Sequence, residues 1–286
     1  MASGRARRFL RGLLGAPLAA LGVGVVLAYI GVAGGAPWLA PYDPLVQDLS
    51  AALAPPSPAH PFGTDPLGRD LLSRVIAASR VDLTIAATGT GVASALAVPL
   101  GLASAYAGGA IDRAIAAALD SALTFPTLLL AVVLVNLVGN GLGTVIGAVA
   151  VTATPALFRV VRGAVLQIAV AGFVDSARAA GAGSLRIIWR HLLPNIVGQA
   201  AVYATLLASQ AVLTVTALGF LGLGVQPPTP EWGAMLARSR TYLSAAPFVM
   251  LFPGLAIGGL VLGLNLLGDA LQDALDPRGT LRRAAF

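Results

Sequence analysis

Few side chains in this sequence have the types and spacing that catalysis or metal binding requires. The 286 residues contain no cysteine and two histidines, His60 and His191, and both histidines fall in the loops that connect the apolar segments. Thiol chemistry is therefore excluded, and a serine–histidine dyad inside a membrane is not expected. All 18 basic residues are arginine, whereas a phosphate-binding P-loop needs a lysine. We therefore predict that the chain is not an enzyme and does not bind ATP by that route.

Two pairs of aspartates could act as metal ligands, but each pair has a simpler interpretation. Asp65 and Asp70 lie in one loop, where we expect Asp65 to cap a helix that begins at Pro66 and carries Arg69 and Arg74 on the outer surface. Asp269 and Asp273 are one helical turn apart with no third ligand nearby, which favours solvated residues at a helix end. The sequence therefore predicts no metal site.

The composition indicates a protein whose surface faces lipid. Hydrophobic residues make up 57% of the chain and charged residues only 10%, whereas soluble domains carry about 25% charged residues. We predict an all-α integral membrane protein because the long charge-free stretches accommodate helices of roughly 20 residues. Six transmembrane helices are expected, at 13–36, 83–106, 114–138, 142–161, 196–219 and 247–268. The first could instead be a cleaved signal peptide, but its apolar run exceeds the usual core of such peptides.

The distribution of arginine predicts the orientation of these spans. Most of the 18 arginines lie in segments that share one side with the N-terminus, so the positive-inside rule places both termini in the cytoplasm. The resulting division has a cytoplasmic N-terminal segment (1–12), an extracytoplasmic segment (37–82), a core of five helices (83–268) that contains a cytoplasmic loop (162–195), and a cytoplasmic tail (269–286).

The cytoplasmic loop has the pattern of two short helices joined by a glycine turn. Asp175 suits the positive end of the first helix dipole, and Gly181 can adopt the left-handed conformation that ends a helix. Ser184 is expected to cap a second helix that runs to Pro194 at the mouth of the fifth span. Three arginines are expected to point into the cytosol: Arg178, Arg186 and Arg190. An alternative is a basic loop that only fixes topology and touches anionic lipid.

The same loop resembles the EAA loop of permease subunits in binding-protein-dependent ABC importers. That pattern has Glu-Ala-Ala, a glycine six residues after the Glu, and a Leu-Pro pair that closes twenty positions. This chain has Asp175-Ser176-Ala177, Gly181 and Leu193-Pro194 at these positions, so it departs from the pattern by Asp for Glu and Ser for the first Ala.

Further motifs narrow the resemblance to the C-type permeases of dipeptide and oligopeptide importers. These motifs occur in order along the chain as GTDPLGRD (63–70), YAGG (106–109), ALGFLG (217–222), QPPTPEWG (226–233), FPGL (252–255), GD (268–269) and DALDP (273–277). Ala117 is a departure, because the family usually has an arginine three residues before the aspartate that corresponds to Asp120. The resemblance implies the type I importer permease fold.

The resemblance also implies a function and a set of partners. The expected protein is half of the translocation pathway of an ATP-driven peptide importer in the bacterial inner membrane, surrounded by lipid and without nucleic acid. Its expected partners are a second, B-type permease, one or two cytosolic ATPases that bind ATP and Mg²⁺, and an extracytoplasmic solute-binding protein. This chain itself is expected to bind no cofactor. Alternatives are an importer of nickel chelates or other small solutes, or a stand-alone secondary transporter or channel.

Four groups of residues follow as candidate functional residues. Coupling to an ATPase is implied for Asp175, Ser176, Ala177, Arg178, Gly181, Arg186, Arg190 and Pro194. Candidates for the translocation pathway in span five are Ser209, Gln210 and Thr214. Candidates for docking at the outer face are Asp65, Arg69, Glu231 and Trp232. Asp120 lies within the third span, where an ionisable side chain is a functional candidate, but an aspartate near the inner interface that is hydrated or paired with a basic group such as Arg113 or Arg159 is the favoured interpretation.

Overall fold

All regular structure in residues 17–275, the part of the chain that the computed structural model describes, is helical. The α-helices are α1 (Pro17–Leu39), α2 (Leu71–Ala107), α3 (Gly109–Ala122), α4 (Thr127–Val138), α5 (Leu142–Ala169), α6 (Gly172–Ala179), α7 (Ser184–Ile187), α8 (Leu193–Phe220), α9 (Trp232–Ser239) and α10 (Phe248–Leu275). A π-helical turn, Ile188–Leu192, joins α7 to α8. The expected cytoplasmic segment 1–12, the start of the first span and the end of the tail lie outside the described residues.

Within residues 17–275, five helices are long and apolar enough to cross a membrane, and a bent pair can be counted as a sixth span. The five are α1, α2, α5, α10 and the continuous helix Ser184–Phe220 that combines α7, the π turn and α8. They overlap five of the predicted spans. The all-helical membrane class is therefore confirmed, with five or six spans among the described residues.

The predicted third span, 114–138, is wrong as a single straight helix. The chain bends by 87° between α3 and α4, so each of these helices is shorter than the hydrocarbon thickness. Pro126 explains the break, because its ring disfavours a helical conformation at Phe125 and it has no N–H to donate. The continuous apolar pattern hides this bend, since the sequence is apolar on both sides of it.

The second membrane helix begins earlier than the predicted span 83–106. Asp70 is its N-cap, and the Asp70 Oδ2 accepts hydrogen bonds from the Ser73 N–H at 2.8 Å and the Ser73 hydroxyl at 2.7 Å. The predicted helix start at Pro66 is therefore wrong. Asp65 instead closes a tight turn, because its Oδ1 accepts the N–H of Leu67 at 2.8 Å.

Close contacts between helix backbones hold the bundle together at glycines. A Cβ atom at Gly89 would lie 2.6 Å from Val149 of α5, and one at Gly101 would lie 2.7 Å from Val161 of the same helix. Small residues permit this close approach. Inside a membrane the hydrophobic effect does not drive helices together, so the van der Waals contacts of such close packing stabilise their association. Helices α2 and α5 are therefore packed along most of their common length.

Buried apolar residues form two clusters at opposite ends of the bundle. One cluster contains Leu71, Leu218 and Trp232 and lies at the end that carries α9. The other contains Leu102, Val165 and Ile187 and lies at the end that carries α6. We refer to these as the α9 end and the α6 end, and each holds one group of candidate functional residues.

Candidate functional site

A hinged bracket, residues 172–187, protrudes at the α6 end. Its first helix, α6, ends in a left-handed glycine: the φ angle of Gly181 is +79°. The N–H of Ala182 donates to the carbonyl of Ala177 at 3.0 Å, and the N–H of Gly181 donates to the carbonyl of Arg178 at 2.9 Å. This is the paired hydrogen-bond pattern of a Schellman cap. The predicted helix-ending glycine is confirmed, and its part in coupling stays a prediction.

The bracket is anchored on one side and open on the other. Val174 and Ile187 are fully buried in the apolar cluster of the α6 end. The opposite side carries Asp175 and Arg178, which form an exposed ion pair at 3.3 Å. The other exposed side chains of the candidate coupling group include Ser176, Arg186 and Arg190. The exposed side of the bracket thus combines small and charged groups with the apolar side chains of Phe173 and Leu185, while its buried side holds it to the bundle.

The second half of the bracket continues into a membrane helix without a break. The N–H of Leu193 donates to the carbonyl of Ile188, five residues earlier, which defines the π turn. Pro194 follows directly, and the wider turn accommodates a residue that lacks an N–H and whose ring excludes the normal carbonyl position. The predicted cap at Ser184 is wrong, because Ser184 is the first helical residue and Gly183 occupies the capping position.

Two ion pairs connect α3 to α5. The Arg162 guanidinium forms a bidentate pair with Asp112, with Nε–Oδ1 at 2.7 Å and Nη2–Oδ2 at 2.6 Å, and the Ser104 hydroxyl donates to the same carboxylate at 2.6 Å. This pair joins α2, α3 and α5. The Nη2 of Arg159 lies 2.8 Å from Oδ1 of Asp120, so the expected ion pair for Asp120 is confirmed with Arg159 as its partner.

The three pathway candidates of α8 differ in their surroundings. Ser209 is buried within the bundle and cannot contact a passing solute in this conformation. Gln210 and Thr214 line a small cavity of about 60 Å³, together with Thr127 of α4 and Thr152 of α5, beside the break between α3 and α4. Gln210 and Thr214 therefore remain candidates for the pathway, whereas Ser209 is oriented towards helix packing.

A polar stripe extends along α8 from the bracket to this cavity. Its residues recur every four or seven positions and thus share one helix face: Asn195, Gln199, Tyr203, Gln210 and Thr214. The first three line a second cavity, of about 770 Å³, near the bracket. Polar groups along one face of a membrane helix are expensive in lipid, so they indicate contact with water, solute or another protein.

At the α9 end, the acidic and basic residues predicted for outer-face docking are buried. Asp65 forms ion pairs with Arg69 Nη2 at 2.6 Å and with Arg74 Nε at 3.3 Å, and all three residues are almost fully buried. The expectation that Arg69 and Arg74 lie on the outer surface is therefore wrong. Their charges are needed inside, where they neutralise one carboxylate and fix the segment that precedes α2.

Glu231 and Trp232 are also fully enclosed at the α9 end. Glu231 caps α9, because its carboxylate accepts the N–H groups of Gly233 at 2.5 Å and Ala234 at 2.8 Å. Trp232 donates its indole N–H to the carbonyl of Val75 at 3.0 Å. Both side chains are thus buried among the segments around α9, and their part in docking stays a prediction.

Comparison with known families shows what kind of protein carries this bracket. A family described as "Binding-protein-dependent transport system inner membrane component" matches residues 97–280, which include the bracket and the polar stripe. The chain belongs to this family of transport permeases. Residues 4–56 of the permease match a second family, described as "N-terminal TM domain of oligopeptide transport permease C". Together with its apolar helices, this membership identifies a multi-pass inner membrane protein.

Relatives of the permease match it over most of their length. The di/tripeptide transport system permease protein DppC of Pseudomonas aeruginosa (strain UCBPP-PA14) is 44% identical over 256 residues, covering 87% of this chain and 84% of the relative. The dipeptide transport system permease protein DppC of Haemophilus influenzae is 40% identical, with 85% and 84% covered. The glutathione transport system permease protein GsiD of Pectobacterium atrosepticum is 41% identical, with 88% and 84% covered.

Sequence reasoning missed two groups of residues in this permease. The pair of Asp112 and Arg162 is separated by 50 positions in the chain, and no local pattern connects them. Asp82 lies beside Glu231 although the two are far apart in the chain, and its Oδ2 accepts the backbone N–H of Trp232, 150 positions away, at 3.2 Å. The signal in the sequence was an acidic residue in or near a membrane helix, which alone does not identify its partner.

The contact between Asp82 and Glu231 predicts a pH-dependent stability. Burial raises the pKa of Glu231, although the N–H groups of α9 partly oppose this effect. A buried carboxyl group keeps its proton to higher pH than an exposed one, so the unfolded chain loses this proton at lower pH than the folded chain. The contribution of Glu231 to the free energy of unfolding is therefore fully present below the ordinary glutamate pKa, and it is lost as pH rises through the raised pKa.

We expect Asp82→Asn to remove this pH dependence. The asparagine amide can donate permanently to Glu231. Its oxygen can still accept the backbone N–H of Trp232, which Asp82 Oδ2 accepts at 3.2 Å. Thermal unfolding in detergent should be measured from about pH 5 to about pH 9, with the exposed Asp43→Asn as control. Equal pH slopes in wild type and Asp82→Asn would show that no proton is shared.

Proposed function

We propose that this permease is half of the translocation pathway of an ATP-driven, binding-protein-dependent importer of di- and oligopeptides. The observation that carries the proposal is the Gly181-hinged bracket, which is continuous with the membrane helix α8. Movement of such a bracket is transmitted directly to a spanning helix. If a partner binds the bracket more tightly in one conformation of the permease than in another, its binding shifts the equilibrium between the two conformations.

The bracket is proposed to fit a groove on a cytosolic ATPase. The proposed contacts are the eight coupling residues: Asp175, Ser176, Ala177, Arg178, Gly181, Arg186, Arg190 and Pro194. Small side chains on α6 allow close approach, and the exposed arginines can pair with acidic groups of a partner. ATP and Mg²⁺ would be bound by one or two such ATPases, since this chain has no lysine for a P-loop. This arrangement places both permease termini in the cytoplasm.

The remaining partners follow from the family and from the surface of the chain. A second, B-type permease would pair with this one in the bacterial inner membrane, and an extracytoplasmic solute-binding protein would deliver the solute at the α9 end. The bent pair α3–α4 then counts as the sixth span, with its ends covered by the partner permease. The polar stripe of α8 would face the passage between the two permeases, where Gln210 and Thr214 can hydrogen-bond the peptide backbone.

Peptides are the favoured solutes because two of the described relatives are named as dipeptide or di/tripeptide permeases. Glutathione is a second candidate, since another relative is named as a glutathione permease and glutathione is itself a small peptide. The two candidates share the amide and carboxylate groups that the α8 stripe could contact. They differ in the binding protein that would present them.

Reconstituted uptake tests the proposal. The permease would be incorporated into liposomes with candidate B-type permeases and ATPases, and a binding protein would be supplied outside together with labelled dipeptide or labelled glutathione. We expect uptake that requires ATP and all protein components. Uptake by the permease alone would instead identify a stand-alone transporter or channel, and uptake of glutathione but not dipeptide would replace the proposed solute.

A further inference from the structure

The side chain of Tyr106 occupies the junction between the bracket and the bundle. Tyr106 is near the end of α2 and is half-buried against the apolar cluster of the α6 end. The Arg178 guanidinium lies over its ring, 5.4 Å from the ring centroid. Its hydroxyl lies close to the side chain of Ser184. One aromatic side chain therefore contacts both halves of the bracket.

The two contacts lie on opposite sides of the glycine hinge. Arg178 belongs to α6, before Gly181, and Ser184 is the first residue of α7, after it. A tyrosine that is held from both sides prevents the hinge from opening independently of α2. The bracket and the end of α2 are therefore expected to move together.

The chain changes direction immediately after Tyr106. Gly108 and Gly109 have φ angles of +64° and +63°, and a Cβ atom at either position would meet nothing within 4 Å. Backbone conformation alone therefore explains the two glycines, which form an elbow between α2 and α3. The far side of this elbow is held to α5 by the Asp112–Arg162 pair. Both sides of the elbow are therefore held at Asp112, by Ser104 of α2 and by Arg162 of α5, while Tyr106 on the α2 side contacts the bracket.

We propose that Tyr106 is a positioning residue that transmits displacement of the bracket to the α2–α3 elbow. The proposal rests on the proposed coupling function. Displacement of α6 pulls Tyr106 through Arg178 and Ser184, and this pull reaches α3 across the elbow, which the Ser104–Asp112 hydrogen bond closes. Helix α3 leads to the break before α4, beside the cavity that Gln210 and Thr214 line. A path of direct contacts thus joins the bracket to the pathway candidates.

The first test compares Tyr106→Leu with Tyr106→Phe in the reconstituted importer. Leucine removes the aromatic ring, whereas phenylalanine retains the ring over which Arg178 lies and loses only the hydroxyl. The measured quantity is solute taken up per ATP hydrolysed, with ATPase association assayed by co-purification. We expect about a fivefold or greater loss for Tyr106→Leu with association retained, and no more than about a twofold loss for Tyr106→Phe. Tyr242→Leu, at the α9 end, is the matched control and should behave as wild type.

A double-mutant cycle tests the second contact without a large structural change. Tyr106→Phe and Ser184→Ala each remove one of two hydroxyl groups that lie close together, so each should lower the uptake per ATP by no more than about twofold. Because the two variants lose one shared interaction, the double variant should be no worse than either single variant. Additive losses would overturn the proposed role of this contact, and this cycle decides the matter even if Tyr106→Leu fails to assemble.

The outcomes separate this inference from the coupling function itself. If the wild-type assembly shows no ATP-dependent uptake, the proposed function fails before Tyr106 is considered. If the wild type couples ATP to uptake and Tyr106→Leu couples equally well, only the role of Tyr106 is overturned. Equal losses in Tyr106→Leu and Tyr106→Phe would also contradict it, since the ring is then irrelevant.

Discussion

A Gly181→Val permease is expected to insert into the membrane and to lose ATP-dependent uptake. The φ angle of +79° at this position is strained for any side chain and most strained for a β-branched one, by roughly 1–2 kcal/mol. A Cβ atom there would meet nothing within 4 Å, so the strain acts through the backbone and not through a clash. The turn should rearrange and change the direction of α6 relative to α7. Uptake into proteoliposomes and membrane insertion are the two measurements.

Gly183→Val is a closely matched control for this substitution. Gly183 lies two residues further along the same exposed turn, also has open space around its Cβ position, and has a φ angle of −67° that valine adopts readily. We therefore expect Gly183→Val to retain most of the uptake. Equal losses in both variants would indicate a general sensitivity of the turn, and retained uptake in Gly181→Val would remove the bracket from the coupling mechanism.

The largest loss of stability is expected for Asp65→Asn. This change leaves Arg69 and Arg74 almost fully buried without their carboxylate, although its shape is conserved. Removing one partner from a buried ion pair costs about 3–5 kcal/mol because the other charge stays uncompensated. Thermal unfolding in detergent should show a lower midpoint and lower recovery of folded protein.

Asp43→Asn provides the comparison for this loss, because Asp43 is an exposed carboxylate near the same end of the chain. Its removal should leave the midpoint nearly unchanged. A similar midpoint for Asp65→Asn and Asp43→Asn would mean that Arg69 and Arg74 are solvated in the membrane-embedded protein. The loop before α2 would then be open, and the direct docking role predicted for Asp65 and Arg69 would regain support.

The membrane helices could be predicted from sequence because a run of about 20 apolar residues without charge is rare outside membrane spans. Their exact course could not. The run from 114 to 138 is apolar on both sides of the bend, so only Pro126 indicated the 87° change of direction. The start of α2 at Leu71 was missed for a related reason. Asp65 and Asp70 both precede a plausible helix start, and the choice between them depends on the arginines that fold back onto Asp65.

The candidate site shows the same division between local and distant information. Gly181 was predictable because a helix end and a left-handed glycine are properties of neighbouring residues. The burial of Arg69 and Arg74 was not, since arginines near a loop ordinarily indicate an exposed surface. The contact of Tyr106 with Arg178 joins residues that are distant in the chain, and it exists only because α2 and the bracket pack on the same apolar cluster.

The glycine contacts of α2 with α5 have a consequence for how transport can occur. Gly89 and Gly101 leave no free space between the two helices, so sliding one past the other would force a valine into a backbone. The pair should therefore behave as a single stiff beam during the transport cycle. Any reorientation must then be absorbed at the ends of this pair, by the glycine elbow after α2 and by the short segments around the bend between α3 and α4. These few residues would therefore limit how far the neighbouring helices can move.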